Sequence, residues 1–367
     1  MAVALAARGV HVTGIESSPD RLKLLLDKSW SPSEPMCDYN HREDFDITSS
    51  MEAVRETDMS LMMVGTPEAR PGAMDLSYVR SASVDLSMAL REKPHALLVS
   101  STLVPGGAKI AIQPFVAKIC PVVLNPVWIA QGSVVADYLR PPVVLLGCDG
   151  AIPAVVLDFV QLVFQREPLI TDTRTAETLK LAHNAWCTVR MSFINGMAEH
   201  FKATGADPRI LPTFMRAGGE RAGKFLQPGA PFGGPCFPRD LRFLQAMMGD
   251  SPIGLMLDEV AHINQGIIKQ LAFKAIEIAG AEGTIGVVGL AYKAGSDVIE
   301  GSASRRLTEW LQTKPLLVHD PHVNGEWNGY GTQVPLDELL ARSAVVIEMH
   351  PNTVPTNITT PVLRPWG

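Results

Sequence analysis

The residues best suited to chemistry lie in the segment PFGGPCFPRD, at positions 231–240. This segment places Cys236 in a turn rich in glycine and proline, with Arg239 three residues and Asp240 four residues behind it. Glycine lets backbone and ligand approach each other closely, and a neighbouring cation stabilises a thiolate over a thiol. Cys236 is therefore a candidate nucleophile, and the alternative is a small buried side chain, which is common for a free cysteine.

The composition is that of a globular protein with room for two or three domains. The chain has 367 residues, of which 46% are hydrophobic and 19% are charged, with a formal net charge of −6. That charge argues against a nucleic-acid partner, and no apolar run reaches the roughly 18 residues expected of a membrane span. The five cysteines are scattered without metal-ligand spacing. They predict free thiols in a reducing cytoplasm and no metal site.

The elements that must position these residues alternate between short apolar runs and helical stretches. Buried strands are predicted at 10–16, 59–67, 95–103 and 142–147. Residues 172–204 contain one glycine and no proline and keep helical periodicity, which predicts one long helix. A second helical stretch is predicted at about 238–279, and strands resume at 283–293 and 314–321. The predicted fold class is α/β, with two parallel, doubly wound sheets and a helical middle.

The strand at 10–16 ends in Glu16. An acid at the tip of the second strand of a dinucleotide fold can hold a ribose 2′-hydroxyl, which favours NAD over NADP. The preceding residues, MAVALAARG, have the character of the helix that follows a glycine-rich phosphate-binding loop, yet that loop does not precede them. Either the loop and its strand lie upstream of Met1 or NAD is not bound in the usual way, and the sequence leaves both open.

Six motifs, taken in order, resemble the UDP-glucose/GDP-mannose 6-dehydrogenases. They are GTP (65–67), SSTLVPGG (100–107), LNPVWIAQGSVVADYLRPPVVLLG (124–147), AETLKLAHNAW (176–186), PFGGPCFPRD (231–240) and GLAYKAGSD (289–297). The segments ADYLRPP and HNAWCTVRMSF resemble the GDP-mannose branch more closely than the UDP-glucose branch. The resemblance implies a Rossmann-like NAD-binding domain at 1–168, a central helical, dimerisation and catalytic domain at 169–280, and a short Rossmann-like nucleotide-sugar-binding domain at 281–367.

The same resemblance implies a cytoplasmic homodimer that uses NAD to oxidise the C6 alcohol of a nucleotide sugar toward the uronic acid. GDP-mannose and UDP-glucose are the substrates of the two branches. Cys236 would capture the aldehyde as a thiohemiacetal that becomes a thioester. Lys180 and Asn184, four residues apart on one helix face, would stabilise an oxyanion. Asp240 would position water, and Thr102 would lie near the reacting carbon and the nicotinamide.

Binding residues are implied in the same way. The residues that would contact the cofactor NAD are Glu16, Arg21, Thr66, Pro67, Ser101 and Arg239. The residues that would contact the nucleotide sugar are Phe225, Gly233, Gly234 and Lys293. The resemblance implies no metal, and His319 and His322 in VHDPHV do not predict one on their own.

Several positions depart from the family pattern. Where the family reads N-P-E-F-L-R-E, this chain reads NPVWIAQ, so that Val127 and Gln131 replace both glutamates and Ala130 replaces the arginine. Val298 stands in place of an aspartate, and Glu300 in place of an arginine that helps to hold the cofactor. The replaced glutamates predict slow hydrolysis of the thioester, and the missing positive residue at 300 predicts weak NAD binding. The alternative is a catalytically degenerate relative that binds a nucleotide sugar or a partner subunit without full turnover.

Overall fold

The structure, a computed structural model, describes residues 1–27, 45–90, 94–217, 228–323, 325 and 327–366. Clustering of contacts divides the chain into two units, Met1–Ala182 and His183–Gly367. The predicted division into three domains, with boundaries at 168 and 280, stays a prediction. Among the helices described, none combines the length and the apolar character that crossing a membrane requires.

The strands of the first unit are short, and four of the nine described lie within the predicted apolar runs. In chain order they are β1 (Val12–Ile15), β2 (Phe45–Thr48), β3 (Met59–Met62), β4 (Glu68–Arg70), β5 (Ala73–Met74), β6 (Ala96–Val99), β7 (Val122–Leu124), β8 (Leu145–Gly147) and β9 (Leu169–Thr171). The main sheet has the order β3-β6-β7-β8-β9, while β1 and β2 form a separate parallel pair and β4 and β5 an antiparallel one.

The main sheet is parallel except at one pair. β7 and β8 run antiparallel, with Leu124 opposite Gly147, whereas β3–β6, β6–β7 and β8–β9 are parallel. The α/β prediction with a parallel sheet is confirmed, and the reversal at β8 corrects it in one place. A parallel partner requires the chain to cross to the other end of the sheet, and the segment between β7 and β8 does not make this crossing.

Helices cover both faces of this sheet. They are α1 (Ala2–Ala6), α2 (Pro19–Leu26), α3 (Ser77–Leu90), α4 (Gly107–Ala111), α5 (Gln113–Val116), α6 (Val134–Leu139) and α7 (Ala154–Phe164). Alternate strand residues enter two separate apolar clusters: Leu97 and Val99 of β6 pack in one, Ala96 and Leu98 in the other. Successive side chains of a strand point to opposite faces, so both faces of the sheet are buried.

The long helix α8 spans Thr173–Thr204, which confirms the prediction of one helix over 172–204. Asp172 begins it, because its Oδ1 accepts the backbone N–H of Thr175 at 2.9 Å. Such a side-chain acceptor satisfies one of the amides that have no partner within the first helical turn. The helix carries both Lys180 and Asn184, four residues apart.

The second unit contains further helices and a sheet that is parallel throughout. The helices are α9 (Leu211–Ala217), α10 (Phe237–Met248), α11 (Pro252–Ala279), α12 (Ala303–Leu311) and α13 (Leu336–Arg342). The strands are β10 (Ile285–Val288), β11 (Leu316–His319), β12 (Thr332–Gln333), β13 (Val345–Glu348) and β14 (Val362–Leu363). They lie in the order β12-β11-β10-β13-β14, the arrangement of a Rossmann-like sheet.

The predicted helical stretch at 238–279 is broken in the structure. Helix α10 ends at Gly249, whose φ of +50° is unfavourable for other residues, and α11 starts with Pro252 in its first turn. Between them Ser251 caps α11, since its Oγ accepts the backbone N–H of Gly254 at 3.2 Å. Gly249 therefore ends α10, and Pro252 begins α11, so the predicted stretch is two helices and not one.

Candidate active site

Cys236 lies at the N-cap of α10 and its side chain is exposed. Its backbone carbonyl accepts the N–H of Asp240 at 2.8 Å, which is the first helical hydrogen bond. The exposure does not fit the alternative of a packed, buried thiol. A thiol at a helix N-terminus also lies at the positive end of the helix dipole, which favours its anionic form.

The turn that carries Cys236 is held from two sides. Asn264 of α11 accepts the N–H of Phe232 at 2.8 Å and donates to its carbonyl at 2.9 Å. On the other side, the N–H of Gly234 donates to the carbonyl of Gly301 at 3.0 Å. Asn264 was not identified from the sequence, where the only signal is a polar residue within an apolar helical run. The turn is therefore fixed through its backbone and not through loop side chains.

Neighbouring atoms lie so close to both glycines of this turn that neither position has room for a side chain. A Cβ on Gly233 would lie 2.5 Å from the carbonyl oxygen of Gly301, and one on Gly234 would lie 2.5 Å from the ring of Tyr292. Gly234 also has a φ of +83°, which other residues rarely adopt. These positions, proposed from the resemblance as substrate contacts, thus have a structural role that the sequence did not show.

Asp240 is fully buried and its carboxylate has a partner on each oxygen. The Arg239 guanidinium donates to Oδ1 from Nε at 2.9 Å and approaches it with Nη2 at 2.8 Å. Asn184 of α8 donates from Nδ2 to Oδ2 at 2.6 Å. Three of the residues singled out from the sequence, Asn184, Arg239 and Asp240, therefore form one network immediately behind Cys236. A buried carboxylate needs this compensation, because burial of an unpaired charge is costly.

Lys180 is oriented by the segment that departs most from the family pattern. Its Nζ donates to the backbone carbonyl of Val127 at 2.8 Å and lies 4.9 Å from the centre of the Trp128 ring. The contact with the ring face is a cation–π interaction. The Val127 side chain packs against an apolar cluster, so at this position the backbone and not the side chain meets the ammonium group.

Glu177, one turn before Lys180 on α8, is a buried carboxylate that sequence reasoning did not identify. It accepts the backbone N–H groups of Gly106 and Ala108, the latter at 2.7 Å. Burial raises the pKa of Glu177, and the two N–H groups act in the opposite direction. The contact ties α8 to the loop that follows Thr102. Glu177 lies in the same motif as Lys180, three residues before it, but the sequence analysis identified only Lys180 as a site residue.

The candidate cofactor residues lie after the carboxyl ends of two adjacent strands. Thr66, after β3, donates from Oγ1 to the carbonyl of Thr102 at 2.9 Å. Ser101, after β6, donates from Oγ to the carbonyl of Val64 at 2.8 Å. In open α/β sheets, ligands bind outside the carboxyl ends of the strands. The structure thus brings Thr66, Ser101 and Thr102 together at the edge where a dinucleotide is expected.

The remaining site candidates are placed separately. Glu16 follows β1 and its Oε1 accepts the N–H of Ser18 at 2.9 Å. The side chains of Arg21 in α2, Pro67 after β3 and Lys293 after β10 are exposed. Phe225 lies outside the described residues.

The described histidines, cysteines and carboxylates contain no group of three that is arranged to hold a metal ion. Asp320, between His319 and His322, has a structural role instead. Its Oδ2 accepts the backbone N–H groups of Leu290 and Ala291 at 2.7 and 3.1 Å.

Comparisons with known proteins agree with this arrangement. Residues 1–158 match the NAD binding domain of the UDP-glucose/GDP-mannose dehydrogenase family, and residues 174–265 match its central domain. Together the two matches cover more than half of the chain.

Individual relatives point to the same family. The chain is 26% identical over 340 residues to GDP-mannose 6-dehydrogenase of Pseudomonas syringae pv. syringae, which covers 87% of this chain and 77% of that protein. It is 30% identical over 276 residues to UDP-glucose 6-dehydrogenase of Rhizobium meliloti (strain 1021), or 71% of this chain and 62% of that protein. The structure of a UDP-glucose dehydrogenase from Pyrobaculum islandicum matches with a TM-score of 0.82 and 26% identity, over 95% of this chain and 86% of that one.

The family matches, the α/β fold and the order of the motifs all agree. The NAD binding domain match identifies NAD as the cofactor. The chain therefore belongs to the UDP-glucose/GDP-mannose dehydrogenase family and is an NAD-dependent dehydrogenase that acts on a CH–OH group of a sugar.

Proposed function

We propose that the protein oxidises the C6 alcohol of a nucleotide sugar of the GDP-mannose or UDP-glucose type toward the uronic acid. The observation that carries this proposal is the exposed Cys236 thiol at the N-terminus of α10, backed by the buried network of Asp240, Arg239 and Asn184. An exposed thiol in a backbone-fixed turn is suited to attack on a carbonyl carbon. The relatives named above support the substrate class.

The proposed chemistry has three stages, namely oxidation to the aldehyde, formation of a thioester on Cys236, and hydrolysis. In the first, C6 loses a hydride and its hydroxyl loses a proton, which gives an aldehyde. The Cys236 sulfur then adds to the aldehyde carbon while its proton goes to the aldehyde oxygen, and loss of a second hydride together with the hydroxyl proton converts the thiohemiacetal into a thioester. Water finally attacks the thioester carbon, which releases the carboxylic acid and returns the thiol. NAD, when bound, accepts the hydride of each oxidation.

Lys180 and Asn184 are assigned to the oxygen of the reacting carbon. An ammonium and an amide on one helix face are donors that stabilise the negative charge that develops there. The contacts of Lys180 with Val127 and Trp128 hold its stem in place. Asn184 keeps its amide orientation by donating to Asp240. Preorganised donors of this kind need no rearrangement when the charge appears.

The residues after β1, β3 and β6 fit a bound dinucleotide. Glu16 is half-buried and oriented by Ser18, so that its carboxylate is suited to a ribose hydroxyl. Thr66, Ser101 and Thr102 lie on two neighbouring loops that side-chain hydrogen bonds join to each other. We assign these four residues to NAD, with Arg21 and Pro67 beside them. Lys293, Gly233 and Gly234 are assigned to the nucleotide sugar.

We further propose that the protein works as a homodimer in the cytoplasm. Trp186 and Phe193 lie seven residues apart on α8 and are 54% and 52% exposed. Two large apolar side chains on one helix face support a contact with a second copy of the chain. The described cysteines form no disulfide bond with one another, which supports a reducing compartment.

Alkylation tests the assignment of Cys236. Brief treatment with iodoacetamide is expected to label Cys236 first, because its side chain is exposed while Cys148 is half-buried and Cys120 and Cys187 are buried. Burial also raises the pKa of Cys120 to about 11, which leaves little reactive thiolate. The rate at each cysteine is read by peptide mass spectrometry.

Substrate protection extends this test to the function. NAD together with GDP-mannose or UDP-glucose is expected to slow the labelling of Cys236 and to leave Cys148 unchanged. Protection by one nucleotide sugar and not by the other identifies the substrate branch. Labelling of Cys236 no faster than Cys148, or no protection by any nucleotide sugar, contradicts the proposal.

A further inference from the structure

A small cavity lies beneath the segment that orients Lys180. Its lining includes Asn125, Val127, Trp128, Tyr138 of α6 and Phe164 of α7. The centre of a water molecule has about 10 Å³ in which to move there. This is about the volume that one buried water molecule needs.

Two polar atoms of residues lining this cavity have no hydrogen-bond partner among the described residues. They are the hydroxyl of Tyr138 and the Oδ1 of Asn125. Tyr138 is 2% exposed and Asn125 3% exposed, so neither atom is paired by bulk solvent. The Nδ2 of Asn125 is already used, because it donates to the carbonyl of Leu145 at 3.1 Å. One unpaired donor and one unpaired acceptor therefore belong to residues that line the same small cavity.

These two groups are complementary to a water molecule. Burial raises the pKa of Tyr138, so its side chain is a neutral phenol that can donate one hydrogen bond. Asn125 Oδ1 is an acceptor only. A water molecule accepts from the one and donates to the other, and buried waters typically satisfy otherwise unpaired polar groups in this way. An empty cavity would leave both groups with the full cost of their desolvation.

The same segment carries the carbonyl that binds Lys180. Asn125 lies two residues before Val127, and Trp128 follows it directly. The Val127 carbonyl accepts a hydrogen bond from the Lys180 ammonium at 2.8 Å. Trp128 is fixed in turn, since its Nε1 donates to the carbonyl of Val143 at 2.9 Å. We propose that a buried water molecule bridges Tyr138 and Asn125, and that these two residues are thereby positioning residues for Lys180. The positioning role rests on the proposed function, whereas the water site does not.

The water bridge is tested by stability alone. Without a bridge, Tyr138→Phe removes an unpaired buried hydroxyl and leaves the protein as stable as before or more stable. With the bridge, the exchange of the amides in β7 and β8 accelerates by about 3- to 10-fold, the size expected for the loss of one net hydrogen bond. Tyr78→Phe, at an exposed tyrosine, is the matched control and is expected to change nothing. Unchanged or slower exchange in Tyr138→Phe overturns the bridge.

A double-variant comparison gives a second reading of the same bridge. In an Asn125→Ala background the bridge is already broken, so Tyr138→Phe is expected to change the rate of amide exchange in β7 and β8 by less than about twofold. The loss of the Asn125 contact with Leu145 is present in both members of this pair and cancels. An equal effect of Tyr138→Phe in both backgrounds contradicts a link between the two residues.

The positioning role is tested by kinetics. In single-turnover measurements, Tyr138→Phe is expected to slow NAD reduction by about threefold or more, with the KM for the nucleotide sugar nearly unchanged. In a Lys180→Met background it is expected to slow the reaction no further, because it acts through Lys180. Equal slowing in both backgrounds overturns the role. If the wild-type protein reduces no NAD, the proposed function and this role both fail, while amide exchange still decides on the bridge.

Discussion

A covalent acyl adduct on Cys236 is expected to accumulate when the protein is mixed with NAD and a nucleotide sugar that it oxidises. In the proposed function the oxidation steps depend on Lys180, Asn184 and Cys236, which this chain retains. Hydrolysis of the thioester needs an activated water, and both glutamates that the family carries in this segment are replaced, by Val127 and Gln131. General base catalysis is typically worth about 10² to 10⁴ in rate, so hydrolysis becomes the slow step.

The structure makes Asp240 a poor substitute for the lost base. Its two oxygens accept from Arg239 and Asn184, and its side chain is fully buried. A carboxylate held in this way orients its neighbours, whereas a general base must reach the attacking water. We therefore expect Asp240 to position the turn and Asn184, and to contribute little to hydrolysis.

Intact mass measurement detects the adduct, and a matched pair of variants tests its cause. Val127→Glu is expected to shorten the lifetime of the adduct, and Val127→Gln, similar in size but neutral, is not. Because the Val127 side chain packs against an apolar cluster, both variants are also compared for thermal stability. Rapid release of uronic acid by the wild-type protein without an adduct contradicts this account and requires a base elsewhere in the chain.

Arg239→Met is expected to destabilise the second unit by about 3 kcal/mol, the cost of leaving a buried charge without its partner. Asp240 is fully buried, the Arg239 side chain is only 18% exposed, and the guanidinium makes two close contacts with the carboxylate. Met keeps most of the length of the Arg239 stem and loses only the guanidinium, whose Cζ lies 5.9 Å from the centre of the Phe243 ring. The loss is measured by urea denaturation followed through amide exchange in α10.

The control for this prediction removes the charge that is left behind. The double variant Arg239→Met with Asp240→Asn is expected to be clearly more stable than Arg239→Met alone, since no buried charge then lacks a partner. Arg306→Met, at an exposed arginine of α12, is expected to have almost no effect. A double variant no more stable than the single one contradicts the buried ion pair as the cause.

The sequence predicted those parts of the fold that depend on local pattern. The apolar runs before Thr66 and Thr102 correspond to β3 and β6, and every residue of β6 is buried. A strand buried on both faces is a continuous apolar run in the sequence, which makes it predictable. Helix α8 was predictable because residues 172–204 contain no proline and retain a helical period. The reversed direction of β8 was not predictable, since strand direction depends on the path of the connection and not on the strand's own residues.

The site was predictable in its residue types and only partly in its contacts. The motifs identified Cys236, Asp240 and Asn184, yet the direct bond between Asn184 and Asp240 joins residues that are 56 positions apart. Asn264, which holds the Cys236 turn through Phe232, likewise lies 32 positions from its partner. Long-range polar pairs of this kind leave no periodic pattern in one sequence, so only the folded chain shows them.

The NADH formed per protein chain in the first turnover tests the central claim most directly. The protein is mixed with excess NAD and GDP-mannose or UDP-glucose, and the absorbance of NADH is followed for the wild-type protein and for Cys236→Ala. Two hydride transfers from the substrate to NAD, which end at the Cys236-bound thioester, predict a rapid burst of two NADH per active chain, followed by a slow steady phase. In Cys236→Ala, the second NADH of the burst is expected to disappear. A wild-type protein that forms no NADH with any nucleotide sugar, or a burst that Cys236→Ala leaves unchanged, contradicts the account.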